Sequence, residues 1–228
     1  MKRHAFTLIE LLVVVAIIAL LAAFAVPAVL KALAAGKRTA CASNMRQIGI
    51  AMVAYTNDQD GEFPGSSHSD PNESWIYTLA PYLGNMDEVR ICPADPRAAE
   101  RRAVKSTSYV LNEYLCVAQM DPFGGVTESY TNIARLHAPS RTIAAFVGAD
   151  NMGTGQSNDH THSRGWGGWS AVVGDISPDR HRSGPVAKDH SRGASNYLYA
   201  DGHVETIQAR AFKALIDSGV NPSLPPTQ

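Results

Sequence analysis

Histidine and aspartate residues that recur close together in the C-terminal half of the chain are the first candidates for chemistry. Each of five histidines has an aspartate within three positions: His160 and His162 follow Asp159, His181 follows Asp179, His190 follows Asp189, and His203 follows Asp201. Imidazole and carboxylate groups bind zinc, but a site needs three or four of them to converge. No His-Glu-x-x-His pair is present, and most of these residues lie in Gly-rich stretches that are typical of solvated loops. We therefore predict no metal site among them.

Covalent catalysis and nucleic-acid binding have less support. The chain has no Gly-x-Ser-x-Gly turn to expose a nucleophilic serine, and no Gly-Lys-Ser/Thr follows its Gly-rich stretches. Trp166 and Trp169, in one of these stretches, are more typical of packing or partner contacts. The net charge is -1 and the pI is about 6.7, and neither indicates the basic surface that nucleic-acid binding requires. We expect a protein that is not an enzyme and has no nucleic-acid partner.

An apolar segment near the N terminus, residues 11 to 30, has no charged or strongly polar side chain. As a helix it is about 30 Å long, the thickness of the hydrocarbon core of a bilayer. A buried core helix would keep a polar face, and a secretory signal peptide would be shorter and end at a small-residue cleavage site. Helical spacing instead continues beyond the segment, with Ile48, Met52 and Tyr55 on one face. We predict a membrane span that continues as one helix to about Asn57.

Glu10 stands at the edge of this apolar segment, four residues after Phe6. A carboxylate at the centre of a bilayer costs about 2.5 to 3.5 kcal/mol, and less near the interface, so Glu10 needs a partner. A free amino terminus, created by cleavage before Phe6, is the nearest candidate.

The first thirty residues resemble the class III signal of type IV prepilins and type II secretion pseudopilins: a basic leader, MKRHA, is followed by FTLIE and an uninterrupted apolar run. The resemblance implies that prepilin peptidase cuts between Ala5 and Phe6, that Phe6 is N-methylated, and that Glu10 guides assembly. It also implies a helix kink at Pro27. Ala5 departs from the family, which usually has glycine before the cut, but alanine is small enough to enter the same protease site.

Later segments are similar to a large pilin-like group of uncharacterised function. They are CASNMRQIGIAMVAYTNDQDGEFP, LAPYLG, ICPADPR and NYLYADGHVE. That group has a C-terminal motif of histidine, nine residues and Asp-Gly. Here His190 precedes Asp201-Gly202 with ten residues between, one more than the motif.

Calcium is the one cofactor left open by the resemblance. Pseudopilins of the major type can hold calcium near the C terminus, and Asp179, Asp189 and Asp201 offer oxygen ligands. They lack a recognisable calcium-loop spacing, so we expect no cofactor and keep calcium as the alternative.

Three cysteines, Cys41, Cys92 and Cys116, would enter an oxidising compartment if the domain is exported, and an odd count leaves one unpaired. Cys41 lies on the exported part of the helix, and Cys92 follows a linker able to fold back onto it. We favour a Cys41–Cys92 disulfide with Cys116 buried. Three reduced, buried thiols are the alternative.

The remaining elements predict an α+β fold in which the long N-terminal transmembrane helix packs on a small antiparallel β-sheet domain. We expect a short helix over residues 75–84 ending at Gly84, strands over 108–119 and 140–150, a hairpin over 195–207 turning at Asp201-Gly202, and an amphipathic helix over 210–219. The predicted divisions are a leader (1–5), a helix (6–57, with its transmembrane part at about 6–30) and an exported globular domain (58–228).

The function predicted from these features is a structural subunit, either a pilin or a pseudopilin, assembled through its N-terminal helix into a type IV pilus or a type II secretion filament. Its expected partners are other pilin-like subunits, the prepilin peptidase/methyltransferase and the inner membrane. The flanking basic residues are nearly balanced, so a cytoplasmic N terminus and a periplasmic or extracellular domain follow from the resemblance alone. The alternative is a single-pass, membrane-anchored periplasmic binding protein or metal-dependent enzyme.

Overall fold

The computed structural model describes residues 7–67, 73–184 and 187–227. The predicted cleavage site between Ala5 and Phe6 lies outside these residues. Helix α1 spans Leu8–Asp58 as one unbroken element of 51 residues. The predicted long helix is therefore confirmed, and it ends one residue beyond the predicted position.

Helix α1 changes character along its length. Its first half is apolar and open to its surroundings: Leu8 is 78% exposed and Leu21 is 63% exposed. Its second half buries one face at intervals of three or four residues, which is the spacing of an amphipathic helix. The larger buried side chains are Cys41, Met45, Ile48, Met52 and Thr56. One helix thus consists of an exposed apolar rod and a stripe that belongs to the core of the domain.

Pro27 lies inside the exposed half of α1. Proline has no amide hydrogen, so Pro27 cannot donate the helical hydrogen bond to the carbonyl of Ala23. The helix continues through this position, and the kink expected at Pro27 stays a prediction.

Short elements make up the rest of the described chain. The helices are α2 (Trp75–Thr78), α3 (Ala98–Ala103), α4 (Glu113–Cys116), α5 (Trp169–Asp175) and α6 (Ala209–Asp217). The strands are β1 (Tyr109–Leu111), β2 (Gln119–Met120), β3 (Val126–Glu128), β4 (Ile143–Val147), β5 (Ala194–Tyr199) and β6 (Val204–Gln208). Strands β1, β4, β5 and β6 form an antiparallel sheet in that order, and β2 pairs with β3 in a separate ribbon.

Helices cover both faces of the four-stranded sheet. Alternate side chains of β1 enter different cores: Tyr109 and Leu111 pack with α1, whereas Val110 packs with α5 and α6. On the second face, the rings of Tyr197 and Phe212 stack with their centroids 5.0 Å apart. The predicted α+β fold, with an antiparallel sheet on the long helix, is confirmed. The second covering layer is a feature that the sequence did not predict.

The strand predicted over residues 108–119 is wrong beyond Leu111. The side-chain oxygen of Asn112 accepts a hydrogen bond from the Tyr114 amide at 3.1 Å and starts α4. The Asn112 amide group donates to the carbonyls of Ile143 at 2.7 Å and Ser223 at 2.6 Å. Because all these bonds are buried, Asn112 holds the chain in a helical turn where the alternating pattern suggested extended backbone.

The other predicted elements are present with modified bounds. The expected helix at 75–84 is the short α2 followed by a 3-10 turn at Pro81–Leu83, and Gly84 ends it with a φ of 61°. The strand predicted at 140–150 contains β4, the hairpin is β5–β6, and the last helix is α6.

A close contact between two glycines joins the hairpin to α1. The Asp201-Gly202 turn lies against Gly49, where an added Cβ atom would be 2.9 Å from the carbonyl oxygen of Gly202. Gly202 has a φ of 88°, in the region that favours glycine. The β5–β6 turn therefore approaches the helix backbone directly.

Candidate functional site

The exposed half of α1 is an apolar surface that no other part of the described chain covers. It presents apolar side chains all around its surface. These include Leu8, Ile9, Leu11, Leu12, Ile17, Ile18, Leu20, Leu21, Phe24, Leu30 and Leu33. Among the described residues, α1 is the one helix that is long and apolar enough to cross a membrane. A surface of this kind requires a lipid bilayer or other apolar helices around it.

Glu10 is part of a capping box at the start of α1. Its carboxylate accepts hydrogen bonds from the Thr7 amide and the Thr7 hydroxyl, both at 2.8 Å. The Thr7 hydroxyl in turn accepts a bond from the Glu10 amide at 3.3 Å. This arrangement satisfies amide groups that have no partner within the helix and places the negative charge at the positive end of the helix dipole. The carboxylate thus has an intrachain partner, while the predicted partner at Phe6 lies outside the described residues.

Where α1 enters the domain, Cys41 of the helix meets Cys92 and His181. One ligand atom from each of the three side chains lies within 4.8 Å of those of the other two, and all three residues are buried. Both cysteines are separate thiols. The predicted Cys41–Cys92 pairing stays a prediction, and its two thiols are neighbours.

The two thiols influence each other. A hydrogen bond from Cys92 lowers the pKa of the Cys41 thiol. The same hydrogen bond, together with burial, raises the pKa of Cys92. The Tyr109 hydroxyl lies 3.5 Å from the Cys41 sulfur and is a further donor to it. Cys41 is therefore the sulfur on which negative charge is best stabilised.

His181 is less well satisfied than its burial would suggest. It is 8% exposed, and its Nδ1 atom has no hydrogen-bond partner. Its Nε2 atom lies 3.4 Å from the Asn196 amide nitrogen, which has two hydrogens and also donates to the carbonyl of Arg38 at 2.9 Å. Because buried polar atoms normally have a partner, the Nδ1 atom of this ring has unused binding capacity.

Two of the histidine–aspartate pairs noted in the sequence form, His160 with Asp159 and His203 with Asp201. His162 and His190 instead pair with aspartates more distant in sequence. His160 is 2.8 Å from Asp159, His162 is 3.5 Å from Asp175, His190 is 3.2 Å from Asp179 and His203 is 2.5 Å from Asp201. Asp189, the third aspartate considered for calcium, instead accepts a hydrogen bond from the Ser191 hydroxyl at 2.8 Å. Each of the three aspartates considered for calcium thus has a different neighbour.

The residues of the C-terminal motif have different partners. His190 binds Asp179, whereas Asp201 binds His203 and Gly202 contacts α1. The histidine that the structure brings to the cysteines is His181, whose nearest candidate partner in the sequence is Asp179. The sequence around His181 shows only that it precedes the β5–β6 hairpin, and nothing in it indicates that the histidine lies beside the cysteines.

Two known families match this chain, one at the N terminus and one over most of the remainder. Residues 1–26 match the family described as Prokaryotic N-terminal methylation motif. Residues 31–171, more than half of the chain, match the family described as Protein of unknown function (DUF1559). The chain belongs to the DUF1559 family. No curated protein and no solved structure matches this DUF1559 protein.

The predicted prepilin-type signal is confirmed by the first match. Together with the exposed apolar helix, it makes the DUF1559 protein a membrane-anchored, pilin-like protein with a methylation signal. The roles of Ala5, Phe6, Glu10 and Pro27, and the C-terminal motif, stay predictions.

Proposed function

We propose that the protein is a structural subunit of a filament, either a type IV pilus or a type II secretion-type pseudopilus. Prepilin peptidase cuts it between Ala5 and Phe6 and methylates Phe6, and the subunits assemble through α1. The observation that carries the proposal is Glu10, an acidic residue at the start of a helix whose next twenty residues are apolar. The capping box uses the side chain of Glu10 but does not require its charge, since glutamine also serves there, whereas pairing with an ammonium group does require it.

Before cleavage, the Thr7 capping box holds the Glu10 carboxylate. Cleavage places a new ammonium group on Phe6, about one helical turn away. Glu10 then pairs with its own terminus or, in a staggered filament, with the terminus of a neighbouring subunit. Either pairing offsets the cost of an isolated charge in an apolar environment. The intermolecular pairing also sets the axial register, because apolar helices alone slide past one another freely.

The proposal places the N terminus in the cytoplasm, α1 in the inner membrane before assembly, and the globular domain in the periplasm or outside the cell. The partners are the prepilin peptidase/methyltransferase and other pilin-like subunits. No catalytic or nucleic-acid-binding role is assigned to the domain. The competing proposal is a single-pass, membrane-anchored periplasmic binding protein or metal-dependent enzyme that does not assemble.

Glu10→Gln separates the two proposals. Glutamine at this position can still complete the capping box, so the helix start is kept and only the charge is removed. We expect membrane content equal to wild type and incorporation into filaments reduced about tenfold or more, which corresponds to about 1.4 kcal/mol. The measurement compares membrane fractions with pull-down by a tagged wild-type subunit.

Glu73→Gln is the matched control, because it removes the same charge from an exposed position on the domain. It is expected to assemble like wild type. If Glu10→Gln subunits also assemble like wild type, the register role is wrong and the anchored binding protein becomes the better proposal.

Processing is tested independently by mass spectrometry of the N-terminal peptide from membrane fractions. We expect a chain that begins at N-methylated Phe6, and we expect Ala5→Leu to block the cut because the larger side chain does not fit where alanine does. An intact Met1 in the wild-type protein, or cleavage after about residue 20 as in a secretory signal peptide, would contradict the assignment.

A further inference from the structure

We propose that Cys41, Cys92 and His181 form a metal site that binds Zn²⁺ through two thiolates and one imidazole. The three side chains come from α1, from the segment before α3 and from the segment before β5. Their ligand atoms lie within 4.8 Å of one another. The site lies where α1 joins the globular domain, and the proposal does not depend on whether the protein forms filaments.

The ligand chemistry and the spacing suit zinc. Zinc binds thiolate sulfur at about 2.3 Å and imidazole nitrogen at about 2.0 Å in tetrahedral geometry, which places neighbouring ligand atoms about 3.5 to 3.8 Å apart. Ligand atoms that lie within 4.8 Å of one another need to approach by at most about 1.3 Å to reach these separations. Two thiolates balance the charge of Zn²⁺, so the bound site has no net charge to bury.

The surroundings match those of a built site. Both cysteines are fully buried and His181 is more than nine-tenths buried, yet Nδ1 of His181 has no hydrogen-bond partner. The Tyr109 hydroxyl, 3.5 Å from the Cys41 sulfur, donates to a ligand atom, as groups around metal ligands commonly do. A bound cation would occupy the unused binding capacity of the buried imidazole.

Three protein ligands leave one tetrahedral position for water or for a donor from another molecule. His181 lines a cavity of about 350 Å³ together with Leu33 and Lys37 of α1 and Ala94. This cavity gives the histidine side of the site access to solvent at the level where α1 leaves the domain.

The site would fasten the long helix to two distant parts of the domain. Because zinc binds the folded arrangement and not the separated segments, it would stabilise the junction between helix and domain. A Cys41–Cys92 disulfide would fasten two of the same segments but would use both sulfurs. The metal site and the disulfide therefore exclude each other. Whether the two sulfurs are thiolates or a disulfide in the isolated protein decides between them.

The test uses the full-length chain, purified from membranes in detergent without chelators or reductant. We expect one zinc ion per chain by elemental analysis. After removal of zinc, Co²⁺ should give the thiolate-to-cobalt charge-transfer absorption of a two-sulfur site. Cys92→Ser and His181→Ala should each lower zinc content and cobalt absorption at least tenfold.

Cys116→Ser and His190→Ala are the matched controls, since they remove a thiol and an imidazole outside the group and should bind metal like wild type. Near-ultraviolet circular dichroism shows whether each variant keeps its packed core. Wild-type cobalt absorption gives a readout that does not depend on any variant folding. A Cys41–Cys92 disulfide in the isolated protein, no metal bound by the wild-type chain, or equal binding by His181→Ala would each overturn the proposal.

Discussion

Replacing Gly49 by alanine tests the contact between α1 and the β5–β6 turn. The new Cβ atom would lie 2.7 Å from Cδ1 of Leu198, 2.9 Å from the carbonyl oxygen of Gly202 and 3.0 Å from its Cα atom. Leu198 can rotate away, but the Gly202 backbone is fixed by the hairpin and by its φ of 88°. The helix and the turn must therefore separate by several tenths of an ångström along the buried stripe.

Two effects of opposite sign determine the size of the change. Alanine in place of glycine stabilises a helix interior by about 0.5 to 1 kcal/mol. Overpacking a well-packed core costs about 1 to 3 kcal/mol. Gly36→Ala is the matched control, because it lies on the same helix and its Cβ atom has nothing within 4 Å. The difference between the two variants isolates the steric cost and should be about 1 to 3 kcal/mol, with Gly49→Ala the less stable.

Thermal unfolding of the full chain in detergent, followed by near-ultraviolet circular dichroism, measures this difference. For a chain of this size it corresponds to a Tm about 2 to 12 °C lower for Gly49→Ala than for Gly36→Ala. Gly36→Ala should leave Tm unchanged or raise it slightly. Equal Tm values for the two variants would refute the close backbone contact and the argument built on it.

Two further predictions concern buried charges. Asp95 and Arg101 form an ion pair at 2.8 Å, and both side chains are 1% exposed. Asp95→Ala leaves a buried cation unpaired and should lower the free energy of unfolding in urea by about 3 to 5 kcal/mol. A decrease below about 1 kcal/mol would contradict this. Burial raises the pKa of the Asp159 carboxyl, but hydrogen bonds from His160, Ser74 and the Ser67 amide together lower it below its usual 3.8. A carboxyl with a lowered pKa stabilises the fold fully above its unfolded pKa and loses that contribution as pH falls through its folded pKa. Unfolding should therefore become easier below about pH 4, and Asp159→Asn should be less stable at pH 7 and show a shallower loss in acid; parallel curves for the two proteins would exclude this role.

The elements that the sequence predicted well are those whose signals are local. The length and composition of the apolar run fixed α1, and alternating residues on either side of Asp201-Gly202 fixed the hairpin. Beyond Leu111 the apolar pattern continues, but Asn112 binds carbonyls of two other segments and turns the chain into α4. A side chain whose partners are far away in sequence leaves no local pattern, so this turn was not predictable.

The candidate sites divide in the same way. The prepilin-type signal and Glu10 are readable because cleavage and capping depend on consecutive residues. The group of Cys41, Cys92 and His181 comes from three distant segments, and His181 and His190 look equivalent in sequence because each follows an aspartate closely. Only the folding of the segment before β5 onto α1 distinguishes them. The second layer of helices on the sheet is not predictable for a related reason. The amphipathic pattern of α6 shows that one side of the helix is buried, but not which face of the sheet it packs on.

The unbroken course of α1 has a geometric consequence. Between Leu33 and Cys41 the helix passes from its exposed half to its buried half without a break, so neither half can rotate independently of the other. Each residue of an α-helix adds about 100° of rotation and 1.5 Å of rise. One residue inserted there would turn the domain by about 100° about the helix axis relative to Glu10, whereas seven would return it to nearly the same direction. The number of residues in this short stretch therefore encodes the direction in which the domain faces once the apolar half is held.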